Sequence, residues 1–347
     1  PHPPFPLGPP PPPFLSPPRA VWRAPPQPLE SKGLSARAIN VIAASWRAST
    51  TKNYAVYIRK WKTYCHKKGL NYLQARSNDV IDFLSELFES ERASYSVINS
   101  ARSALSAFLV LEDSSCTVGT HPLISRFCKG AFQLRPPAPR YKEIWDVNIV
   151  FNYLRKWAPA NSLTLKTLTM KLCTLMALIS AQRVQSLHSL HLDYMKIKGS
   201  EVLFIFKDLL KQTKPGNVNF NLKMKAYPPD RRLCVLNYLR HYLRRTESVR
   251  GQERYLFISF KKPHKRVTTQ TIARWVKETL TSAGIDTDIY KAHSTRAAST
   301  SAANSSNLPI KHILAQAGWS SERTFRNYYM KPVENRNVNF TGAIMAS

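Results

Sequence analysis

One stretch constrains this chain more than any other: the 43 residues from Lys291 to Val333. Its breakers divide it into three short helices. His293 and Arg296 stand three residues apart, which puts them on one face of the first helix and lets both side chains reach the same ligand atom. Pro309 is placed as the first residue of the second helix, with Ile310, Ile313 and Leu314 as its buried face. Gly318 stops that helix, and Ser320 or Ser321 caps the third, where Phe325 takes the core position and Tyr328 and Tyr329 follow. With Trp319 at the junction, a cation, an imidazole, an indole and a phenol are gathered by three short helices. That set suits a phosphodiester, with the phenol as candidate nucleophile.

The charge balance points to the same class of ligand. Lys and Arg total 51 against 21 Asp and Glu, a formal net charge of +30. Such an excess calls for a polyanionic partner, and nucleic acid is the default. No apolar run approaches the ~18 residues that span a bilayer, and the longest, Leu168 to Ile179, is interrupted by Lys171 and reads as a buried helix. The five cysteines are scattered, odd in number and without CxxC spacing, which argues for a reducing compartment and against a zinc site or a disulfide framework. No carboxylate cluster has metal-ligand spacing, so the two-metal nuclease reading is set aside and neither metal nor cofactor is expected. No secretory signal is visible, and no initiator methionine opens the chain, which is read as a fragment or a piece of a longer polyprotein.

Taken in order, residues 1–31 hold fourteen of the 25 prolines and are expected to form no packed core. From about Leu34 the pattern turns helical. A cap at Ser49 to Thr51 leads into Tyr54, Tyr57, Ile58, Trp61 and Tyr64 at helical spacing, and Gly69 ends the run. Lys52, Arg59, Lys60, Lys62, Lys67 and Lys68 form a basic stripe on the other side, suited to phosphates. Helices are also expected over 78–89 and 95–111. In 134–143 the prolines forbid helix, so this stretch reads as a linker, with Arg135, Arg140 and Lys142 suited to lie along DNA. Beyond it come helices over 147–157, 168–179, 231–244 and 269–283. Between the second and third of these, strands are expected over 201–206 and 218–222 around a turn at Thr213 to Gly216.

HxxR followed by Gly-Trp and then a tyrosine, with Arg183 upstream after an apolar helix, resembles the tyrosine recombinases of the phage-integrase family. The run from Trp319 to Tyr329 is most similar to recombinases of DIRS-type and Crypton-type mobile elements, which read W-S-S-x-x-T-F-x-x-aromatic-Y. The resemblance implies a mainly α fold with a small antiparallel β-sheet or hairpin, built as a two-domain clamp. Residues 32–133 would form the helical core-binding domain, 134–143 the linker and 144–347 the catalytic domain. Arg183 fits the first arginine of the family's G-x-R-x-x-E-L, although Ser186 stands where many relatives carry an acid. A hairpin-tip lysine would be Lys214, with Lys211 its rival; Trp319 occupies a position that is often histidine.

Tyr329, ten residues after Trp319, fits the mobile-element pattern and is taken as nucleophile. Tyr328, nine residues on, has the spacing of bacterial and phage integrases and is the alternative. Neighbours on a helix point about 100° apart, so only one serves. The implied reaction is metal-independent cleavage of double-stranded DNA through a 3′-phosphotyrosyl bond, by four protomers on two duplexes. Competing readings are a recombinase-derived DNA-binding protein that no longer cuts and a type IB topoisomerase-like enzyme. The basic run Lys261 to Arg266 and the eukaryotic look of the motifs suggest the nucleus.

Overall fold

The computed structural model describes residues 33–206, 208, 210, 213 and 221–333. The proline-rich opening, Lys211, Lys214 and the residues after Val333 lie outside the described residues. The chain divides into two compact units between Ala138 and Pro139.

The first unit is a bundle of α1 (Ala36–Ala44), α2 (Ala48–Lys68), α3 (Ser77–Glu89), α4 (Tyr95–Ser106) and α5 (Pro122–Leu134). Ile58, Trp61 and Tyr64 of α2 pack on Val80, Phe83, Leu84 and Leu87 of α3, with Ile98, Leu105 and Ile124 closing the core. Trp61 is fully buried, and its indole N–H donates to the Tyr72 carbonyl at 2.9 Å, so the largest ring in this core leaves no polar group unpaired. Gly69 ends α2 at φ 66°, a left-handed conformation that costs glycine nothing.

Two boundaries differ from expectation. Helix α2 starts at Ala48 because Thr51 spends its hydroxyl inside the first turn, on the Arg47 carbonyl, instead of capping. The helix expected to run to Leu111 stops at Ser106. Val110–Leu111 then pairs in parallel with Gln74–Ala75 as a two-residue ladder (β2 with β1). Phe108, Leu109 and Leu111 all bury, so the apolar pattern continues through the change of backbone.

The second unit is built around α7 (Leu165–Ser180), in which every residue from Leu168 to Leu178 is buried. Against it pack α8 (Val184–His188), α9 (Val235–Glu247), α10 (Thr269–Ser282) and α11 (Ser294–Ser305), and α6 (Val147–Arg155) packs on α10 and α11. Lys171, the charge that interrupts the apolar run, is fully buried. Its ammonium donates to the carbonyls of Leu154 and Trp157 at 2.7 and 2.5 Å and lies 3.9 Å from the Tyr238 ring centre. Both carbonyls lie at the end of α6 and each has a second donor, the Trp157 N–H for Leu154 at 3.1 Å and the Tyr238 hydroxyl for Trp157 at 3.2 Å.

A three-stranded antiparallel sheet, β3 (Met195–Lys198), β4 (Glu201–Ile205) and β5 (Asn221–Lys225), covers one side. Strand β3 was not expected, and the described strand β5 begins at Asn221 where one had been expected over 218–222; Leu222 and Met224 are its inward residues. Helix α9 starts at Val235 and not at Arg231. The Asp230 carboxylate accepts from the Arg232 N–H at 3.0 Å and from Arg155 at 2.8 Å, which holds 230–234 as a turn. The unit closes with α12 (Ile310–Ala317) and α13 (Glu322–Tyr328). Mostly helical with a small antiparallel sheet, this is the fold class the sequence pattern implies.

Candidate active site

Helix α7 ends on Ala181 in the left-handed conformation, φ 50°, which turns the chain sharply so that Arg183 becomes the N-cap of α8. Arg183 thus sits on a short, rigid corner. His293 is the N-cap of α11. The start of that helix is held from behind: the buried Trp145 indole donates to the Ser294 hydroxyl at 3.0 Å. Gly318 ends α12 at φ 66° and delivers Trp319 into a small cluster with Ala181, Ile313, Ala317 and Phe325. Tyr329 follows α13 as its C-cap, and its carbonyl accepts from Ser301 of α11 at 3.0 Å.

A cleft of about 650 Å³ is lined by Arg183, Gln185, Arg274, Lys277, His293 and Tyr329, among others. At its edge the Tyr329 hydroxyl lies 3.3 Å from His293 Nε2. The Tyr329 ring packs tilted against Trp319, centroids 4.4 Å apart with the planes at 39°, and the Arg296 guanidinium is 5.3 Å from the Tyr329 ring centre. The two tyrosines part company here. Tyr328 is 70 % exposed and lines a different cavity.

Arg296 departs from expectation. Spacing suggested that its guanidinium and the His293 imidazole would reach one ligand atom. His293, the N-cap residue, is exposed, whereas Arg296 one turn on is fully buried. Its Nη1 donates to the Ala181 carbonyl at 2.8 Å and its Nη2 to the Ala317 carbonyl at 2.7 Å. Both ends of the fork are therefore engaged with backbone at the C-termini of α7 and α12, and no carboxylate pairs with it among the described residues. Burial first, and then the neighbouring Arg183 cation, pull its pKa down to about 10, which leaves it charged at neutral pH. A buried cation held only by neutral oxygens is rare and costly. Arg296 Nε and the indole N–H of Trp319 are in addition buried donors without a hydrogen-bond partner among the described residues.

Of the six proposed catalytic positions, Arg183, His293 and Tyr329 line the cleft, and Arg296 and Trp319 pack against Tyr329. Lys214 lies outside the described residues. Of the candidate DNA contacts, Lys52, Arg59, Lys67, Arg140 and Lys142 are exposed. Lys60 pairs with Glu91, and the Lys62 ammonium sits 4.2 Å from the Tyr72 ring centre. Arg135 is the C-cap of α5, and its guanidinium lies over the Phe88 ring at 3.8 Å and donates to the carbonyls of Phe88 and Ala93, so it braces its own bundle. Sequence reading missed Arg274 and Lys277, two cations on the cleft side of α10, although their three-residue spacing beside buried Trp275 and Val276 was a usable signal. It also missed Trp145 and Ser301, for which no local pattern exists.

The family model described as the phage integrase family matches residues 153–335, more than half of the chain. The chain belongs to the phage integrase family. Among solved structures, this integrase-family chain is similar to the XerH site-specific recombinase bound to palindromic difH substrate in a post-cleavage complex. That match has a TM-score of 0.57 and 13% identity, covering 84% of this chain and 79% of that one. The same recombinase in a pre-cleavage complex matches at TM-score 0.51 and 13% identity, over 78% and 70% of the two chains. The Tn1549 transposon integrase in complex with transposon right end DNA matches at TM-score 0.50 and 11% identity, over 78% and 84%. At these identities the likeness is one of fold. A comparison with curated protein sequences gave no match.

Proposed function

We propose that this integrase-family protein is a DNA recombinase that cuts and rejoins strands through a 3′-phosphotyrosyl intermediate. The Tyr329 oxygen attacks the phosphorus, the bond from phosphorus to the 5′ oxygen breaks, and the strand is held as a phosphotyrosyl ester. His293, 3.3 Å from the phenol, takes its proton. Lys214 returns a proton to the departing 5′ oxygen. Arg183, at the cleft wall, donates to the nonbridging oxygens as charge builds on the phosphorane. Arg296 acts from beneath through its charge, favouring both the phenolate and the phosphorane, while Trp319 fixes the Tyr329 ring. Because the ester conserves the energy of the broken bond, rejoining needs no nucleotide cofactor.

One observation carries this reading: a fully buried cation with no carboxylate partner among the described residues lies under a phenol that is hydrogen-bonded to an imidazole. Buried charges are retained against their cost where a counter-charge arrives with the ligand, and a phosphodiester supplies one. The Trp319–Tyr329 pattern supports a mobile element of the DIRS or Crypton type as the source, and with it integration or excision as the task, four protomers on two duplexes and the nucleus as the place of action.

The test is covalent trapping. The protein is mixed with nicked duplexes bearing the ends of the source element, quenched in detergent and digested with nuclease, and the peptide holding Tyr328 and Tyr329 is read by mass spectrometry. A nucleotide adduct on Tyr329 is expected. Tight binding with no adduct, on a substrate cut by a positive-control relative, would replace this reading with that of a recombinase-derived binding protein.

A further inference from the structure

A second cavity, of about 300 Å³, adjoins the catalytic cleft, and the two share Lys291 and His293. Its lining includes Arg140, Tyr141, Asn327, Tyr328 and Lys331, and no carboxylate. Among the described residues neither Arg140 nor Lys331 has a carboxylate within ion-pairing distance. The Lys291 ammonium, by contrast, is occupied by the Thr287 carbonyl at 2.8 Å. Tyr328, at 70 %, is the most exposed aromatic side chain among the described residues. Its neighbours are fixed: Tyr141 packs against Tyr290 with centroids 5.2 Å apart, and the Lys331 N–H donates to Ser301 at 3.0 Å, the hydroxyl that also holds the Tyr329 carbonyl. The floor of this cavity is thus tied to the same side chain that sets the nucleophile.

We propose that this cavity binds the phosphodiester next to the attacked one, with Lys331 and Arg140 as its cations and the Tyr328 ring as a wall for the adjoining nucleotide. The inference rests on the recombinase reading only for which phosphate lies at Tyr329. One strand of duplex carries a phosphate every ~3.4 Å along the axis, so a strand whose phosphate sits at His293 brings its neighbour to the cavity that shares that residue. Cations without carboxylate partners meet the phosphate, and an exposed phenol offers a face to sugar or base. Tyr328 therefore takes a role in holding the strand, distinct from attack on it.

Phosphate contacts do not depend on sequence, so a mixed-sequence 30-base-pair duplex serves as the probe. The slope of log K against log salt is measured for the parent, Lys331→Gln, Arg140→Gln, Tyr328→Ala and Tyr328→Phe. Each lost phosphate contact lowers the slope by about 0.9, so both cation variants are expected to show that change. Tyr328→Ala is expected to lose about fivefold or more in affinity with its slope unchanged, and Tyr328→Phe to keep the affinity. A parental slope in Lys331→Gln, or parental affinity in Tyr328→Ala, overturns the proposal. Trapping on the nicked element ends, run alongside, separates the two ideas. Adducts at Tyr329 with parental slopes would sink the second cavity alone. Altered slopes with no adduct in any protein would sink strand cutting and leave the cavity as a phosphate site.

Discussion

Replacing Arg296 with methionine separates cost from use in this site. The guanidinium is fully buried, and burial together with Arg183 brings its pKa from 12.5 to about 10. A drop of that size corresponds to roughly 3 kcal/mol of destabilisation of the cation. Methionine keeps much of the apolar stem and removes the charge, so that penalty is relieved. It also leaves the Ala181 and Ala317 carbonyls without the donors now at 2.8 and 2.7 Å. Each orphaned carbonyl costs about 1–3 kcal/mol. Relief of roughly 3 against a loss of roughly 2–6 puts the net change between about 1 kcal/mol of gained and about 3 kcal/mol of lost stability. Urea unfolding, followed by far-UV circular dichroism, measures that side. Covalent trapping measures the other, and there the adduct is expected to fall to background because the phenolate and the phosphorane have lost their buried cation. Arg296→Lys, which keeps a charge that cannot span both carbonyls, is expected to fall between the two. A methionine variant that loses more than about 5 kcal/mol would show that the fork is chiefly a structural clamp. A folded methionine variant with the parental adduct yield would refute the role of the charge.

Tyr329→Phe is expected to form no adduct and, having lost one half-exposed hydrogen bond to His293, to cost only about 0.5–1 kcal/mol in the same unfolding assay; an adduct appearing on Tyr328 in that variant would move the nucleophile. Lys171 gives a pH signature. Burial lowers its pKa from 10.5 to about 7 in the folded protein. Between those values the unfolded chain binds a proton that the folded one lacks, so stability is lowest below pH 7 and rises above it, by about 2–3 kcal/mol from pH 7 to pH 9. The difference in unfolding free energy between parent and Lys171→Met across that window reads this rise, and a flat difference would contradict it. Ala181→Gly is expected to stabilise by about 0.5–1 kcal/mol, because φ 50° strains an L-residue and not glycine; a loss of stability would mean that the Ala181 methyl, packed with Trp319 and Phe325, matters more than the backbone.

What could be read in advance was whatever is decided within a few residues. Gly69 and Gly318 end their helices in the left-handed conformation, and Phe325 buries, because caps and apolar periodicity are local properties. The site is legible only in part for the opposite reason. The two acceptors of the Arg296 fork are separated from it by 115 and 21 residues, and Trp145 reaches Ser294 across 149. No spacing rule predicts that an i, i+3 pair will divide into one exposed imidazole and one buried guanidinium. What divides them is tertiary. The left-handed turn at Ala181 and the glycine stop of α12 aim two carbonyls at the same point, and the only long donor on the inward face of α11 is Arg296. The same turn sets Arg183 on the cleft wall three residues after Ser180. A sequence with Gly in place of Ala181 would make that turn with less strain, but any sequence that failed to make it would lose both arginines from the site at once. The corner, more than either arginine, is what the proposed catalytic arrangement depends on.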